Sequence, residues 1–577
     1  MKQHDRGFFF VAALCERRGV FSMNKQFEHR LAVALMFAIF AVAVVFRFLW
    51  LETIPGLNGD EAWLGWKAAR AASGAPLDWR TNSGNFTNPF FLLPLVWVHY
   101  FFEPSAWTVR IVAALSGVVT LVANFLLCRR ILNETVAWAS TLLLAVMPMS
   151  IAYSRFGWEP SQIPLFSIFI VYSALALGDT KRAFAPWILF SGVSLFCGFL
   201  VHPTMAYLGL FPAIALAARW LRPEESIQRA GLLLSLGGCC AAVLGCAMYL
   251  KAPSWVQPEI ASRFEGWGWV ADMPRFLVAW LRNFNGINML GHLPGSWPGA
   301  EKVLDAKVAW PIFQLDIAIG VGFLCAVGLL VFCVSRDGKE EKVARMAARK
   351  IFVLLVAFLI GTFLFGIMNG TAKVAVWFDR YGFWALVPGC LVLGFGYAEA
   401  CRQFPKVASF LRIGGFLVCA VLLGICWNLY FAFFLKTGGE APWLGTRVGE
   451  RQVALVASEA IRVWELNHAP SSKPVLMSSD WFAFWPIVYY MQRERAAEEW
   501  EMIYAGAEAP EQLRGKNRFS ERFAGREVLV AEFDGADAWE KWREVFPDRS
   551  WDKNTLLLKD IAGRPNLRLD FPVSGDE

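Results

Sequence analysis

Residues 31–51, LAVALMFAIFAVAVVFRFLWL, carry a single charge, Arg47, over twenty-one positions. At about 1.5 Å rise per residue such a helix covers about 30 Å, the thickness of a bilayer's hydrocarbon layer. Residues 415–435, GFLVCAVLLGICWNLYFAFFL, repeat the pattern near the other end of the apolar part of the chain. Between them the composition stays membrane-like. Of 577 residues, 56% are hydrophobic and only 18% charged, with 27 Trp and 49 Phe, well outside the soluble range. The expected class is an all-α polytopic membrane protein.

Working outward from 31–51, clusters of Lys and Arg mark cytoplasmic ends: Arg129 and Arg130; Lys181 and Arg182; Arg219, Arg222 and Arg229; the run 335–350; and 401–412. All fit about eleven spans, near 31–51, 107–128, 135–153, 161–178, 184–201, 204–219, 230–250, 311–334, 351–369, 381–400 and 412–435. The stretch 88–102, NPFFLLPLVWVHYFF, is then interfacial or re-entrant, being short and holding Pro94 and His99. Residues 1–30 read as a cytoplasmic extension without the marks of a cleaved signal peptide, and 31–435 as the transmembrane domain. Residues 52–106 and 251–310 are its two large outward loops. The region 436–577 reads as a soluble α/β domain outside the membrane: KPVLMSS, REVLVAEF and NTLLLKDI have strand character, and DAWEKWREVF is an amphipathic helix. The net charge of +7 follows from the cytoplasmic loops and implies no nucleic-acid partner. The twelve Cys all lie at or before Cys426, so no disulfide staples the C-terminal region. Together these features place the chain in a bacterial inner membrane with its outward loops and C-terminal domain periplasmic.

The first outward loop begins with NGDEAWLGWKAARAASG, residues 58–74. Asp60 suits the N-cap of a helix ending at Ala72, with Gly74 as the stop and Trp63 and Trp66 as headgroup anchors. A carboxylate at the bilayer edge is also suited to act as a base on a hydroxyl. A second acidic turn, YSRFGWEPSQIP at 153–164, emerges on the same side. There Arg155 and Glu159 form either a loop salt bridge or part of a shared site.

These residues resemble the GT-C membrane glycosyltransferases, in the branch of protein O-mannosyltransferases, lipid A aminoarabinose transferases and rhizobial galacturonosyltransferases. GDEAW, YSRFGWEPS, GFLVHPTMAY and DRYGFWALVPG carry the resemblance, and the layout covers most of residues 31–400. It implies an inverting transfer of a sugar from a polyprenyl-phosphate donor to a hydroxyl of lipid A, a glycan, a lipid or a protein. Asp60 is the implied base, with Glu61 and Glu159 as acidic partners. Arg380, Arg155 and His202 are candidate ligands of the donor phosphate, and Tyr153, Trp158, Tyr381 and His292 candidate substrate contacts. No cofactor is required on this reading, although Asp60 and Glu159, with Glu61, offer oxygens to a divalent cation. The loop 252–302, with five Trp, suits interfacial anchoring and sugar stacking alike. A transporter or flippase of lipid-linked sugars is the rival reading. Such proteins place coupling acids at mid-bilayer in repeated halves, whereas these acids sit in outer loops. A non-catalytic assembly protein is a third reading.

Overall fold

The computed structural model describes residues 25–80, 86–179, 184–220, 306–335, 347–362, 364, 382–436, 451–468, 473–492, 500–505, 523, 526–533, 538–546, 551, 554–559 and 565–572. The extension before residue 25, the expected span 230–250, the loop 252–302 with His292, and Arg380 and Tyr381 lie outside the described residues.

The membrane part is built from α1 (Lys25–Phe48), α2 (Gly59–Ala72), α3 (Pro89–Phe101), α4 (Ala106–Ile131), α5 (Glu134–Val146), α6 (Pro148–Tyr153), α7 (Ile163–Leu177), α8 (Phe184–Val201), α9 (Leu210–Trp220), α10 (Ala306–Ser335), α11 (Leu386–Gln403) and α12 (Ala408–Cys426). Five helical stretches among the described residues are long and apolar enough to cross a bilayer: Ala106–Ile131, Glu159–Leu177, Ile317–Ser335, Phe383–Gln403 and Pro405–Ala432. Val33–Phe48, Pro89–Phe101, Glu134–Val146 and Ala185–Val201 are shorter apolar helices. The chain is a multi-pass membrane protein.

Two of the expected spans are interrupted beside prolines. The stretch 135–153 divides into α5 and α6 because Pro148 at the start of α6 has no N–H to continue the helix. The stretch 204–219 starts as a 3₁₀ segment, Pro203–Gly209, before α9. Lipid-facing stripes are plain on α4, where Leu115, Val119, Val122 and Leu126 are exposed. On α12 the exposed set is Phe410, Ile413, Leu417 and Val421. Both repeat every three or four residues, as one face of a helix does. The opposite faces of α4, α5, α7 and α11 form the interior.

After α13 (Arg451–His468) come β1 (Val475–Ser478), α14 (Trp481–Met491), β2 (Glu501–Tyr504), β3 (Val528–Phe533), α15 (Ala538–Val545), β4 (Thr555–Lys559) and β5 (Pro565–Asp570). The sheet order is β2-β1-β3-β5-β4. β1 is parallel to β2 and β3, while β5 is antiparallel to β3 and β4. Val475, Met477, Val528 and Val530 bury one face against Trp539 and Trp542 of α15. Leu476, Leu529 and Ala531 bury the other with α13 and α14, as period-2 alternation requires.

This second face does not close on the C-terminal region alone. Phe484, Trp485, Val488 and Tyr489 of α14 share one apolar cluster with Trp63, Leu64 and Ala68 of α2, Phe91 of α3 and Val109 of α4. Gly65 marks the approach: a Cβ there would stand 2.7 Å from both Tyr489 Cε2 and Val109 Cγ2. The Tyr489 hydroxyl then bridges the two parts, 2.9 Å from His99 Nε2, Thr108 Oγ1 and the Ser105 N–H.

Glu532 breaks the apolar alternation of β3. It points with Val528 and Val530 toward α15 and is fully buried, where one oxygen, Oε1, accepts from the Ser479 N–H at 2.5 Å and the Trp542 indole at 2.9 Å. Burial, with Asp480 nearby, pushes its carboxyl from an ordinary 4.5 up to about 7, against those two donors. A raised carboxyl favours the folded state fully below its unfolded value, and the benefit is lost as pH rises through the folded value. Glu532→Gln is therefore expected to gain on wild type by up to about 3 kcal/mol between about pH 4.5 and pH 7. Thermal unfolding of both proteins across that range checks it; a constant gap between them contradicts it.

Candidate active site

The helix carrying the acidic pair starts two residues earlier than the sequence indicates. Asn58, not Asp60, is the N-cap: its side chain accepts from the Asp60 N–H at 2.8 Å. Glu61 closes the capping box by accepting the Asn58 N–H at 3.0 Å. Gly74, at φ +95°, ends the turn after Ala72.

Glu61 is not exposed to substrate. It is fully buried, and both of its oxygens are taken. Oε1 accepts from Arg110 Nε at 2.9 Å and the Gly157 N–H at 2.6 Å; Oε2 accepts from Arg110 Nη2 at 2.7 Å and from Asn58. Arg110, also fully buried, spends its remaining donors on the carbonyls of Leu51, Pro55 and Gly56 at 2.7–3.1 Å. Each charge is thus desolvated and fully hydrogen-bonded, the condition under which a buried ion pair is tolerated. The pair fastens the first outward loop to the 154–160 turn, so the two acidic turns meet. The catalytic role for Glu61 is corrected to that of a fastener.

Arg155 is corrected in the same way. It is fully buried and donates to the carbonyls of Phe46 at 2.7 Å and Ile54 at 2.8 Å, beneath the rings of Tyr430 and Phe431. It satisfies one carbonyl in the last turn of α1 and one in the loop beyond it. Its guanidinium is therefore committed to backbone carbonyls. Tyr153 is buried 4.2 Å (centroids) from Phe383 and 5.9 Å from Trp158, inside the apolar interior. Trp158 is half-buried. His202 caps the Pro203–Gly209 segment, with Nδ1 2.8 Å from Thr204 Oγ1 and accepting the Thr204 N–H at 3.3 Å, a role that a neutral ring fills.

Asp60 and Glu159 remain at a partly open face. Glu159 Oε1 accepts the Asn88 N–H at 2.6 Å, tying the 154–160 turn to the start of α3. Asp60 sits in the first turn of α2, where the helix dipole favours a negative charge, and its Oδ1 accepts the Trp481 indole N–H at 3.1 Å. Asp60, Trp63 and Lys67 follow at i, i+3 and i+7, along one stripe of α2. Lys67 is buried, 3.1 Å from Asp78 Oδ2 and 4.2 Å from the Trp63 ring centroid. Burial pulls its ammonium below the ordinary range against the charges of Asp78 and Glu159.

Of the three acids, Glu61 is unavailable to a divalent cation. Glu61 has no lone pair to give, and a lysine ammonium stands in the field of Glu159. Among the described residues no three His, Cys, Asp or Glu side chains come together as ligands.

Sequence reasoning missed Lys67, Arg110 and Trp481. The α2 stripe carried a signal for Lys67, and an Arg five residues into an apolar helix carried one for Arg110. Trp481, 421 residues from Asp60, had none.

Residues 89–250 match a family model described as dolichyl-phosphate-mannose-protein mannosyltransferase. Over those residues the resemblance to the branch of protein O-mannosyltransferases is borne out. No curated protein matches the chain in sequence. Among solved structures the chain is similar to ArnT from Cupriavidus metallidurans in the apo state, at 13% identity and TM-score 0.41, covering 93% of this chain and 98% of that one. It is similar to the same protein bound to undecaprenyl phosphate, at 13% identity and TM-score 0.41, covering 94% and 98%. It is also similar to the Archaeoglobus fulgidus oligosaccharyltransferase in complex with Zn and sulfate, at 12% identity and TM-score 0.44, covering 86% and 67%.

Proposed function

We propose that this chain, similar over residues 89–250 to the protein mannosyltransferase family, is an inverting glycosyltransferase. It moves a sugar from a polyprenyl-phosphate donor to a hydroxyl acceptor at the periplasmic face of a bacterial inner membrane. The observation that carries the reading is Asp60: a half-buried carboxylate at a helix N-terminus, fixed beside the second acidic turn by Glu61, Arg110 and Gly157.

In this mechanism Asp60 takes the proton of the acceptor hydroxyl as its oxygen attacks the anomeric carbon. The bond from that carbon to the phosphate oxygen breaks on the opposite face, and polyprenyl phosphate leaves with the electron pair. Negative charge grows on the leaving phosphate, where a fixed cation lowers the barrier. Lys67 supplies positive charge on the Asp60 stripe of α2, and Arg380 is the cation we assign to the phosphate from its place in DRYGFWALVPG. Glu159 braces the wall at Asn88. On this reading the cations serve the leaving phosphate and turnover needs no divalent ion.

The test is to incubate purified protein with a panel of polyprenyl-phosphate sugars and measure sugar transfer or release together with freed polyprenyl phosphate. One donor is expected to be consumed, with inverted anomeric configuration and a rate unchanged by a chelator. A panel left intact, with labelled lipid-linked sugar instead crossing a vesicle bilayer, would establish the flippase reading.

A further inference from the structure

One hydrogen-bond donor to the carboxylate of the candidate base comes from the other end of the chain. Trp481 is the first residue of α14, and the turn that presents it is held at several points. The Asp480 side chain caps α14 by accepting from the N–H groups of Phe482 at 2.8 Å and Ala483 at 3.2 Å. Ser478 Oγ accepts the Asp480 N–H at 3.2 Å. The Ser479 N–H is fastened to the buried Glu532. The indole ring is walled in by Trp485 at 5.4 Å, Tyr504 at 5.2 Å and Trp63 at 6.2 Å between centroids. The indole is thus fixed, with its N–H 3.1 Å from Asp60 Oδ1.

Gly59 makes room for this approach. A Cβ on Gly59 would stand 2.6 Å from Trp481 Cδ1 and 2.9 Å from the Trp481 carbonyl oxygen, inside contact distance. The glycine of GDEAW is therefore explained by a residue 422 positions further on in the sequence.

We propose that Trp481 is a positioning residue for Asp60, so that the C-terminal region completes the catalytic centre. This rests on the reading of Asp60 as the base. The indole N–H fixes the rotation of the carboxylate toward the acceptor and, as a donor to the ionised form, keeps Asp60 deprotonated to lower pH.

Trp481→Phe keeps an apolar ring in the same wall and removes only the donor. Its kcat is expected to fall about 10-fold, at the lower end of what a positioned base contributes, with the KM for donor little changed. The acidic limb of its pH–rate profile is expected to move upward, because loss of a donor raises a carboxylate's pKa. A loss of packing alone would lower activity without moving that limb. Wild-type kcat and an unmoved limb in Trp481→Phe, with Asp60→Asn inactive, would overturn the proposal. Full activity in Asp60→Asn would overturn the reading of the base instead. The contact is read without turnover by pairing Asp60→Cys with Trp481→Cys and treating with a short bis-thiol cross-linker. A linked peptide supports the contact, and its absence overturns the proposal whatever the activity.

Discussion

Asp60→Asn is expected to lower kcat by roughly 10²–10⁴-fold, the contribution of a positioned general base, while the KM for the lipid-linked donor stays near wild type. The substitution is nearly isosteric and spares the local structure. The α2 cap uses the Asn58 side chain and the backbone N–H of residue 60, and an asparagine oxygen still accepts the Trp481 indole. What is lost is the ability to take a proton. Steady-state kinetics on the donor found by the panel, with thermal unfolding to confirm an intact fold, checks this. Unchanged turnover would remove Asp60 from the mechanism and with it the inverting displacement assigned to this face.

The neighbouring substitution should behave in the opposite way. Glu61→Gln leaves the Arg110 guanidinium charged, fully buried and without its counter-charge. Breaking one partner of such a pair costs about 3–5 kcal/mol, a large part of a typical folding free energy. The loss is expected as a lower thermal midpoint and a poor yield of folded protein. Adding Arg110→Met should recover much of it, because a buried pair replaced by apolar groups of similar volume is often close to neutral. If Glu61→Gln were as stable as wild type but inactive, Glu61 would return to the list of reacting groups. Two adjacent acids thus separate cleanly, one by rate and the other by stability.

The sequence exposed the parts of this molecule governed by local pattern. Apolar runs gave the helices, and alternation gave β1, β3 and β4. The N-terminal signal of α2 was read to within two residues, since Asn58 and Asp60 are both competent caps and only the backbone geometry chooses between them. EMIY at 501–504 and PNLRLD at 565–570 escaped notice as strands because each is short and mixes charge with apolar residues. Arg155 was misread for a physical reason. A cation in an outer loop looks available to an anion, but here Arg155 is consumed by the carbonyl of Phe46 in the last turn of α1 and that of Ile54 in the loop beyond it. Tyr153 looked like a sugar platform because an aromatic residue beside an acidic turn carries no mark of its burial. The partnership of Trp481 with Asp60 depends on how the C-terminal region docks, which no window along the chain contains.

The cluster joining α14 to α2 sets an order of events in biogenesis. A ribosome releases α2 with Trp63, Leu64 and Ala68 long before it makes the helix that covers them. Until residues 481–491 have emerged and seated, the segment bearing Asp60 lacks one of its walls and exposes an adhesive surface. Completion of the face around Asp60 therefore waits on the synthesis of residues 481–491, and a chain stopped before them leaves that face unfinished.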